Sequence, residues 1–366
     1  MSGIHDARQI PVELGERSYP ILVQEQAPVS FLYPFLRAKK VLLVADSNTA
    51  GIFAEKYLEE LKHSPAEVAL SVFPAGEASK NLSTVENICR DAVRAGLDRS
   101  SVFAALGGGV CGDMTGLAAA LYMRGTRFVQ IPTTLLAMVD SSVGGKTGVD
   151  LPEGKNLIGA FFQPKAVLID PCSLKTLPSR QLSNGFAEMV KTAMILDGAL
   201  FERLESAAAE LFRLGDGAPL TEVIARCCEL KAEVVSSDEK ENGRRAILNF
   251  GHTFGHALES VTGYRNFEHG EAVSVGMCMA ADLAVSEKLI SPDEAGRLEN
   301  LLKAFHLPVS AAGLGLTSEK LLQAMQHDKK NSGGRIRVVL PDRIGHAEVF
   351  GTLPAGRIEE ALCGRI

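Results

Sequence analysis

Tryptophan is absent from this 366-residue sequence, and all aromatic residues together make up only 6% of it. A chain so poor in stacking side chains lacks the platforms on which single-stranded nucleic acids lie. It also lacks an excess of positive charge. Lysine and arginine number 38 against 44 acidic residues, a formal net charge of −6, so neither nucleic acid nor an anionic membrane surface is expected as a partner. No apolar run approaches the ~20 residues that a membrane-spanning helix requires. The opening MSGIHDARQIPVELGERSYPILV does not follow a charged start with an apolar stretch, as a signal peptide would. The seven cysteines (Cys89, Cys111, Cys172, Cys227, Cys228, Cys278 and Cys363) are odd in number, scattered and free of Cys-x-x-Cys spacing. That pattern argues against a zinc ribbon and against a disulfide framework, and it suits a cytoplasmic protein whose thiols are small buried hydrophobes.

What is present is apolar bulk: 46% of the residues are hydrophobic, and the length suits two packed domains. IPVEL and YPILV, separated by Gly15 and charged residues, predict an N-terminal hairpin. KKVLLVADS (39–47), EVALSVFPAG (67–76), SVFAAL (101–106), TRFVQIP (126–132) and KAVLID (165–170) read as buried strands, with helical spacing over 52–62 and from about 81 to 96. Strands alternating with helices imply a mostly parallel sheet covered on both faces. After TLPSRQ (176–181) the texture becomes helical almost throughout, until RIRVVLP (335–341) and HAEVF (346–350) predict a late hairpin. The expected fold is therefore an N-terminal Rossmann-like α/β domain over residues 1–177, followed by a mainly helical domain over 178–366. A ligand is expected where the strand ends of the first domain face the second.

Gly107, Gly109 and Gly112 satisfy G-x-G-x-x-G between a strand and the helix-like run DMTGLAAALYM. Glycine there lets the backbone approach a pyrophosphate, and a helix N-terminus offers free N–H groups and a positive dipole end. A tight structural turn is the competing reading. The usual acidic residue about 20 positions on is missing, and the loop follows the third parallel strand instead of the first. Asp46 and Asn48 after one strand, and Glu77 and Lys80 after the next, have the chemistry to contact a ribose, although isolated residues of these types more often cap helices or sit in solvated turns. Gly145, Lys146 and Thr147 resemble the end of a Walker loop. That pattern needs glycine five positions before Gly145, where Asp140 stands, so it is rejected.

His252 and His256, in NFGHTFGHALES, stand at i and i+4 on one helical face, a spacing used for paired metal ligands. His269 opens the next helical run, and Glu188 lies in NGFAEMVK at the start of the second domain. Imidazole with carboxylate and no thiolate suits zinc or a similar divalent ion with a position open to substrate. Spacing leaves open which three of these four groups bind. Lys146, Lys155, Lys191, Lys231, Arg245, Lys329 and Lys330 surround them in sequence. GGKTG and EGKNLIG place two of these lysines in glycine-bearing loops able to wrap an anion.

GGGVCGDMTG, YMRGTRFVQIPTTLLAMVDSSVGGKTGVD, EGKNLIGAFFQP, LKTLPSRQLSNGFAEMVK, LNFGHTFGHALES and HGEAVSVGM, in this order, resemble the 3-dehydroquinate synthase family. GERSYPI near one end, and DKK with VVLP near the other, extend the resemblance over nearly the whole chain. It implies conversion of 3-deoxy-D-arabino-heptulosonate 7-phosphate to 3-dehydroquinate and phosphate, with NAD and a zinc (or cobalt) ion as cofactors. It further implies oxidation of the carbon 5 hydroxyl by NAD, loss of phosphate, return of the hydride, ring opening and an intramolecular aldol closure. Carried over position by position, it gives Glu188, His252 and His269 as metal ligands. Asp46, Asn48, Glu77, Lys80, Gly108, Gly109, Asp113, Thr133, Thr134, Lys155, Thr176 and Leu177 fall on NAD positions. Asp140, Lys146, Asn156, Lys191, Lys231, Arg245, Asn249 and His256 fall on substrate positions, as does one of Lys329 and Lys330. Arg124 matches an arginine that reaches the phosphate from a partner subunit, implying a homodimer. Three rival functions are a cyclase making a cyclitol from another sugar phosphate, an NAD-linked metal alcohol dehydrogenase, and a non-catalytic sugar-phosphate sensor.

Overall fold

The computed structural model describes residues 7–37, 39–214, 218–326, 336–351, 353 and 355–366. In chain order its strands are β1 Arg8–Val12, β2 Tyr19–Val23, β3 Lys40–Asp46, β4 Glu67–Phe73, β5 Val102–Gly107, β6 Arg127–Pro132, β7 Lys146–Leu151, β8 Gly154–Phe161, β9 Val167–Ile169, β10 Val338–Arg343 and β11 His346–Phe350. One seven-stranded sheet runs β1-β2-β9-β6-β5-β3-β4. Only the β1–β2 hairpin at its edge is antiparallel, pairing Ile10 with Ile21. The remaining neighbours are parallel.

Alternation along these strands feeds two cores. Val41, Leu43, Ala45, Val102, Ala104, Leu106, Val129 and Ile131 pack on one face. Leu42, Val44, Phe103, Ala105 and Phe128 pack on the other with Ile88, Met114 and Leu117 from two helices. A sheet buried on both faces reads in sequence as continuous apolar runs, as these strands do. From β3 the chain goes to β4 on one side and then returns to β5 on the other. The sheet therefore changes direction at the ends of β3 and β5, where open parallel sheets bind ligands. Asp46 and Gly107 mark those ends.

The chain divides into two compact units. The first takes in the sheet up to Leu177, and it also claims the later stretch ending at Lys240. Helix Ala218–Ser237, which the sequence assigns to the helical domain, thus belongs to the α/β unit. It lies against β1 and the turn Ala137–Ser141; Arg8 pairs with its Glu229 at 2.7 Å, and Arg17 pairs at 2.6 Å with Glu239 just past its end. Helical spacing cannot report which unit a helix packs against, so the linear boundary missed this return. The second unit comprises helices Ser179–Leu196, Gly198–Phe212, His252–Val261, His269–Ser286, Pro292–Ala304, Ser318–Gln326 and Ala355–Cys363, with the antiparallel β10–β11 hairpin.

One further difference concerns Lys146 and Lys155. They lie in strands β7 and β8, which pair antiparallel as a separate hairpin, not in loops. The glycines that suggested loops serve close backbone approach instead: a Cβ on Gly148 would sit 2.9 Å from the Ile158 carbonyl oxygen. All seven cysteines are free thiols. Among the described residues no helix is long and apolar enough to cross a membrane.

Candidate functional site

In the second unit, three helices deliver three ligand-type side chains to one point. Glu188 sits midway along Ser179–Leu196, a helix buried without interruption from Leu182 to Ile195. His252 opens its helix immediately after Gly251, whose φ of +77° only glycine adopts without strain. His269 opens another helix, fixed by a capping box in which Glu268 and Glu271 satisfy each other's backbone N–H groups. Arg180 grips Glu271 through two bonds of 2.7 Å.

Glycine sets the spacing between these helices. A Cβ on Gly255 would lie 3.0 Å from the Ala272 carbonyl oxygen, and one on Gly276 would lie 2.8 Å from the Gly255 nitrogen. A Cβ on Gly270 would lie 2.7 Å from the Asn184 Cα. Helices His252–Val261, His269–Ser286 and Ser179–Leu196 therefore meet backbone to backbone, and their histidines and glutamate are drawn together.

The result is a compact donor set. Glu188 Oε1 lies 3.7 Å from His252 Nε2 and 3.4 Å from His269 Nε2. The ligand atoms of all three residues fall within 4.8 Å of one another. Glu188 is 1% exposed, and among the described residues neither of its oxygens meets a donor in hydrogen-bond geometry, although the Lys191 ammonium stands 2.5 Å from Oε2 as an ion pair. Two imidazoles and one under-coordinated buried carboxylate fit a divalent ion of zinc type.

The local electrostatics say the same. Burial by itself would raise the Glu188 carboxyl, but Lys191 and His269 hold it well below the usual carboxylate range. Burial likewise disfavours a charged His269, yet Glu188 and Glu259 push it up to about 10. Without a metal, a proton on His269 thus supplies the positive charge this pocket demands. His252 is oriented separately: its Nδ1 lies 3.1 Å from the Phe250 carbonyl oxygen. A carbonyl only accepts, so Nδ1 carries a proton, and Nε2 is the ring nitrogen on the side of Glu188.

His256 is one turn beyond His252, with ring centroids 5.3 Å apart. It clusters with Glu259 and His269, whereas Glu188 groups with His252 and His269. Spacing alone would have made His252 and His256 an equivalent pair, and the geometry separates them. Glu259 was overlooked in the sequence. It lies at i+7 from His252 and i+3 from His256, and that stripe was the available signal. Arg245 is almost wholly buried in the turn Arg244–Asn249. Asn249 donates to Glu241 at 2.6 Å. Lys329 and Lys330 lie outside the described residues.

In the first unit, Gly108 precedes helix Gly109–Leu121 without a side-chain cap, so its first-turn N–H groups face the β5 end. These glycines are required for closeness, since none has a positive φ. A Cβ on Gly109 would lie 2.9 Å from Ser141 Oγ, and one on Gly112 2.5 Å from Gln130 Oε1. Asp46 caps its helix, accepting from Asn48 and Thr49 nitrogens at 2.9 and 3.0 Å and from Thr49 Oγ1 at 2.7 Å. Lys80 is buried, with its ammonium 2.7 Å from Asp113 and donating to Asn156 Oδ1 at 2.7 Å. Asn156, expected beside substrate, therefore stands among residues expected beside the nucleotide. Lys155 pairs with Glu77 at 3.8 Å. Lys231 donates to Asp140 Oδ1 at 2.6 Å.

Thr133 is buried directly after β6. Thr134 Oγ1 accepts from the Ala137 nitrogen at 3.2 Å. Thr176 Oγ1 donates to the Ser173 carbonyl at 2.9 Å, and Leu177 closes the same turn onto Leu174. Lys146 is exposed. Arg124 is exposed on a turn where it and Met123 have φ of +68° and +49°.

Comparison with known proteins bears on both units. A family model described as 3-dehydroquinate synthase N-terminal matches residues 70–184, and one described as 3-dehydroquinate synthase C-terminal matches residues 185–331. A curated 3-dehydroquinate synthase from Picosynechococcus sp. is 46% identical over 355 residues, 96% of this chain and 97% of its own length. Among solved structures, 2-epi-5-epi-valiolone synthase from Streptomyces hygroscopicus, with NAD+ and Zn2+ bound, superposes with a TM-score of 0.89 at 33% identity, covering 96% of this chain and 98% of its own. A 2-deoxy-scyllo-inosose synthase complexed with carbaglucose-6-phosphate, NAD+ and Co2+ gives 0.85 at 27% identity, covering 99% of this chain and all of its own. With both halves matched and a relative of this identity spanning its length, the chain belongs to the 3-dehydroquinate synthase family.

Proposed function

We propose that this chain converts 3-deoxy-D-arabino-heptulosonate 7-phosphate to 3-dehydroquinate and phosphate, using NAD and a divalent ion, zinc or cobalt, held by Glu188, His252 and His269. The observation that carries the reading is Glu188: a carboxylate shut away from water, with two imidazole nitrogens 3.4 and 3.7 Å from one oxygen. Three protein ligands of this kind leave a position for a substrate oxygen. Full-length likeness to a 3-dehydroquinate synthase at 46% identity favours this substrate over those of the cyclases that are 33% and 27% identical.

When bound, NAD would supply hydride acceptance and return at carbon 5, and the ion would supply polarisation of the oxygen there. The remaining work falls to the chain. Gly108, Gly109 and the open first turn of helix Gly109–Leu121 receive the pyrophosphate. Asp46, Asn48, Glu77, Lys80, Asp113, Thr133, Thr134, Lys155, Thr176 and Leu177 complete the nucleotide set. Lys231 and Arg245 hold the substrate carboxylate and fix its orientation, and Asp140 and Asn156 belong to the same substrate set. Lys146 and Arg124 take the phosphate, and Lys191, paired with Glu188, completes the substrate set. Asn249 and His256 form the polar wall, where His256 orients the phosphate or relays a proton. Arg124, exposed on its turn, suits reaching a second copy of the chain, so the working form is a homodimer. The reaction is a phosphate-eliminating carbon–oxygen cleavage.

The test is incubation with the heptulosonate phosphate, NAD and zinc while phosphate and absorbance near 340 nm are followed. Phosphate release with roughly zero net NADH supports the reading, because the cofactor is recycled. Accumulating NADH would mark a dehydrogenase. Phosphate release only from another sugar phosphate would mark a different cyclase.

A further inference from the structure

A second carboxylate lies behind the metal ligands, and it has no place in the reaction as described above. Glu259 is 1% exposed and sits on the same helix as His252 and His256. Its Oε1 is 3.7 Å from Nδ1 of His269, while Nε2 of that ring is 3.4 Å from Glu188. One imidazole is thus held between two buried carboxylates, each facing a different ring nitrogen.

We infer that Glu259 is a positioning residue: it holds the proton of His269 on Nδ1 and so reserves Nε2 for the divalent ion. This deepens the metal reading and rests on it. The physical case has three parts. A carboxylate out of water requires a positive or donating partner, and a ring whose Nε2 is committed to an ion presents a strengthened Nδ1–H donor. The pairing of a metal-bound imidazole with an outer carboxylate fixes both tautomer and ring plane. Finally, His252 has a backbone carbonyl in the same role, Phe250, at 3.1 Å from its Nδ1. The two histidines are therefore oriented by different means, a neutral acceptor for one and a charged acceptor for the other. His269 is the more exposed ring, 30% against 11% for the His252 side chain, and it gets the stronger anchor.

The test uses the full chain, stripped of metal and titrated with zinc against a chromogenic chelator. Glu259→Gln keeps the volume and an acceptor but loses the charge. Its zinc dissociation constant should rise about 10- to 100-fold, with Glu259→Asp intermediate. Separately, the nitrogen-15 shifts of His269 in zinc-loaded wild-type protein should show Nδ1 protonated, a measurement that needs no variant to fold. Zinc affinity in Glu259→Gln within about twofold of wild type would overturn the inference, as would a His269 whose Nδ1 is metal-bound or bare. Wild-type protein that takes up no zinc would instead overturn the metal reading itself, and the inference with it.

Discussion

Gly276→Ala places a methyl group where helix His269–Ser286 meets helix His252–Val261. Propensity predicts a gain, because alanine is favoured over glycine inside a helix by about 1 kcal/mol. The structure predicts a loss. The added Cβ would overlap the Gly251 carbonyl oxygen and lie 2.8 Å from the Gly255 nitrogen and 3.1 Å from the Gly251 carbonyl carbon. All three are backbone atoms, so no rotamer change relieves them. Overpacking costs about 1–3 kcal/mol, and contacts this short put the cost at the upper end, for a net loss of about 2 kcal/mol. Relief requires the helices to part, which moves His252 away from His269 and weakens zinc binding as well. The assay is denaturant unfolding of the metal-free protein, paired with chelator-competition measurement of zinc affinity. Gly296→Ala is the matched control. It lies on helix Pro292–Ala304 with nothing within 4 Å of its added Cβ, and it should gain up to about 1 kcal/mol. If Gly276→Ala is stabilised like Gly296→Ala and binds zinc as wild type does, close helix approach is not what assembles the site.

Lys191→Met leaves Glu188 buried beside no ammonium and should cost the metal-free protein about 3–5 kcal/mol. Zinc should recover much of that in a melting experiment, and an unchanged metal-free melt would refute the pairing. The pH dependence follows from two opposite shifts. His269 is raised from 6.5 to about 10, so its contribution to metal-free stability is complete below about 6.5 and is lost as pH rises through about 10. Glu188 is lowered, so its contribution is present above the usual 4.5 and is lost only on strong acidification. Zinc must displace the Nε2 proton of the charged His269 ring, so its affinity should climb between pH 7 and 9 with close to one proton released. Calorimetry in buffers of different ionisation heat checks this, and a flat affinity would contradict it. Asp46→Ala removes a cap that meets two backbone nitrogens and should cost about 1 kcal/mol in thermal unfolding.

The sequence made the strands legible because a sheet buried on both faces leaves unbroken apolar runs, and KVLLVAD and VFAALG are such runs. The hairpin β7–β8 was hidden for the opposite reason: Gly148 and Gly159, needed where the two backbones nearly touch, look like loop residues in one dimension. Helix Ala218–Ser237 was seen as a helix but misallotted, because periodicity records a buried face and not what covers it. At the site, the i, i+4 spacing of His252 and His256 suggested equal partners. Tertiary approach separates them: Glu188, 64 positions earlier in the chain, groups with His252 and His269, whereas His256 groups with Glu259 and His269. Glu259 was passed over because a glutamate in an amphipathic helix ordinarily faces water; its stripe with His252 and His256 hinted at a shared face, and burial at 1% exposure distinguishes it.

The hydride that leaves carbon 5 and comes back is the central claim, and isotope tracing addresses it directly. 3-Deoxy-D-arabino-heptulosonate 7-phosphate deuterated at carbon 5 is turned over by zinc-loaded protein with a large excess of unlabelled NADH in solution. The account predicts 3-dehydroquinate that retains its deuterium at that carbon, with phosphate formed in equal amount. Deuterium lost to solvent or to the free nicotinamide pool, or product formed without phosphate, would contradict it.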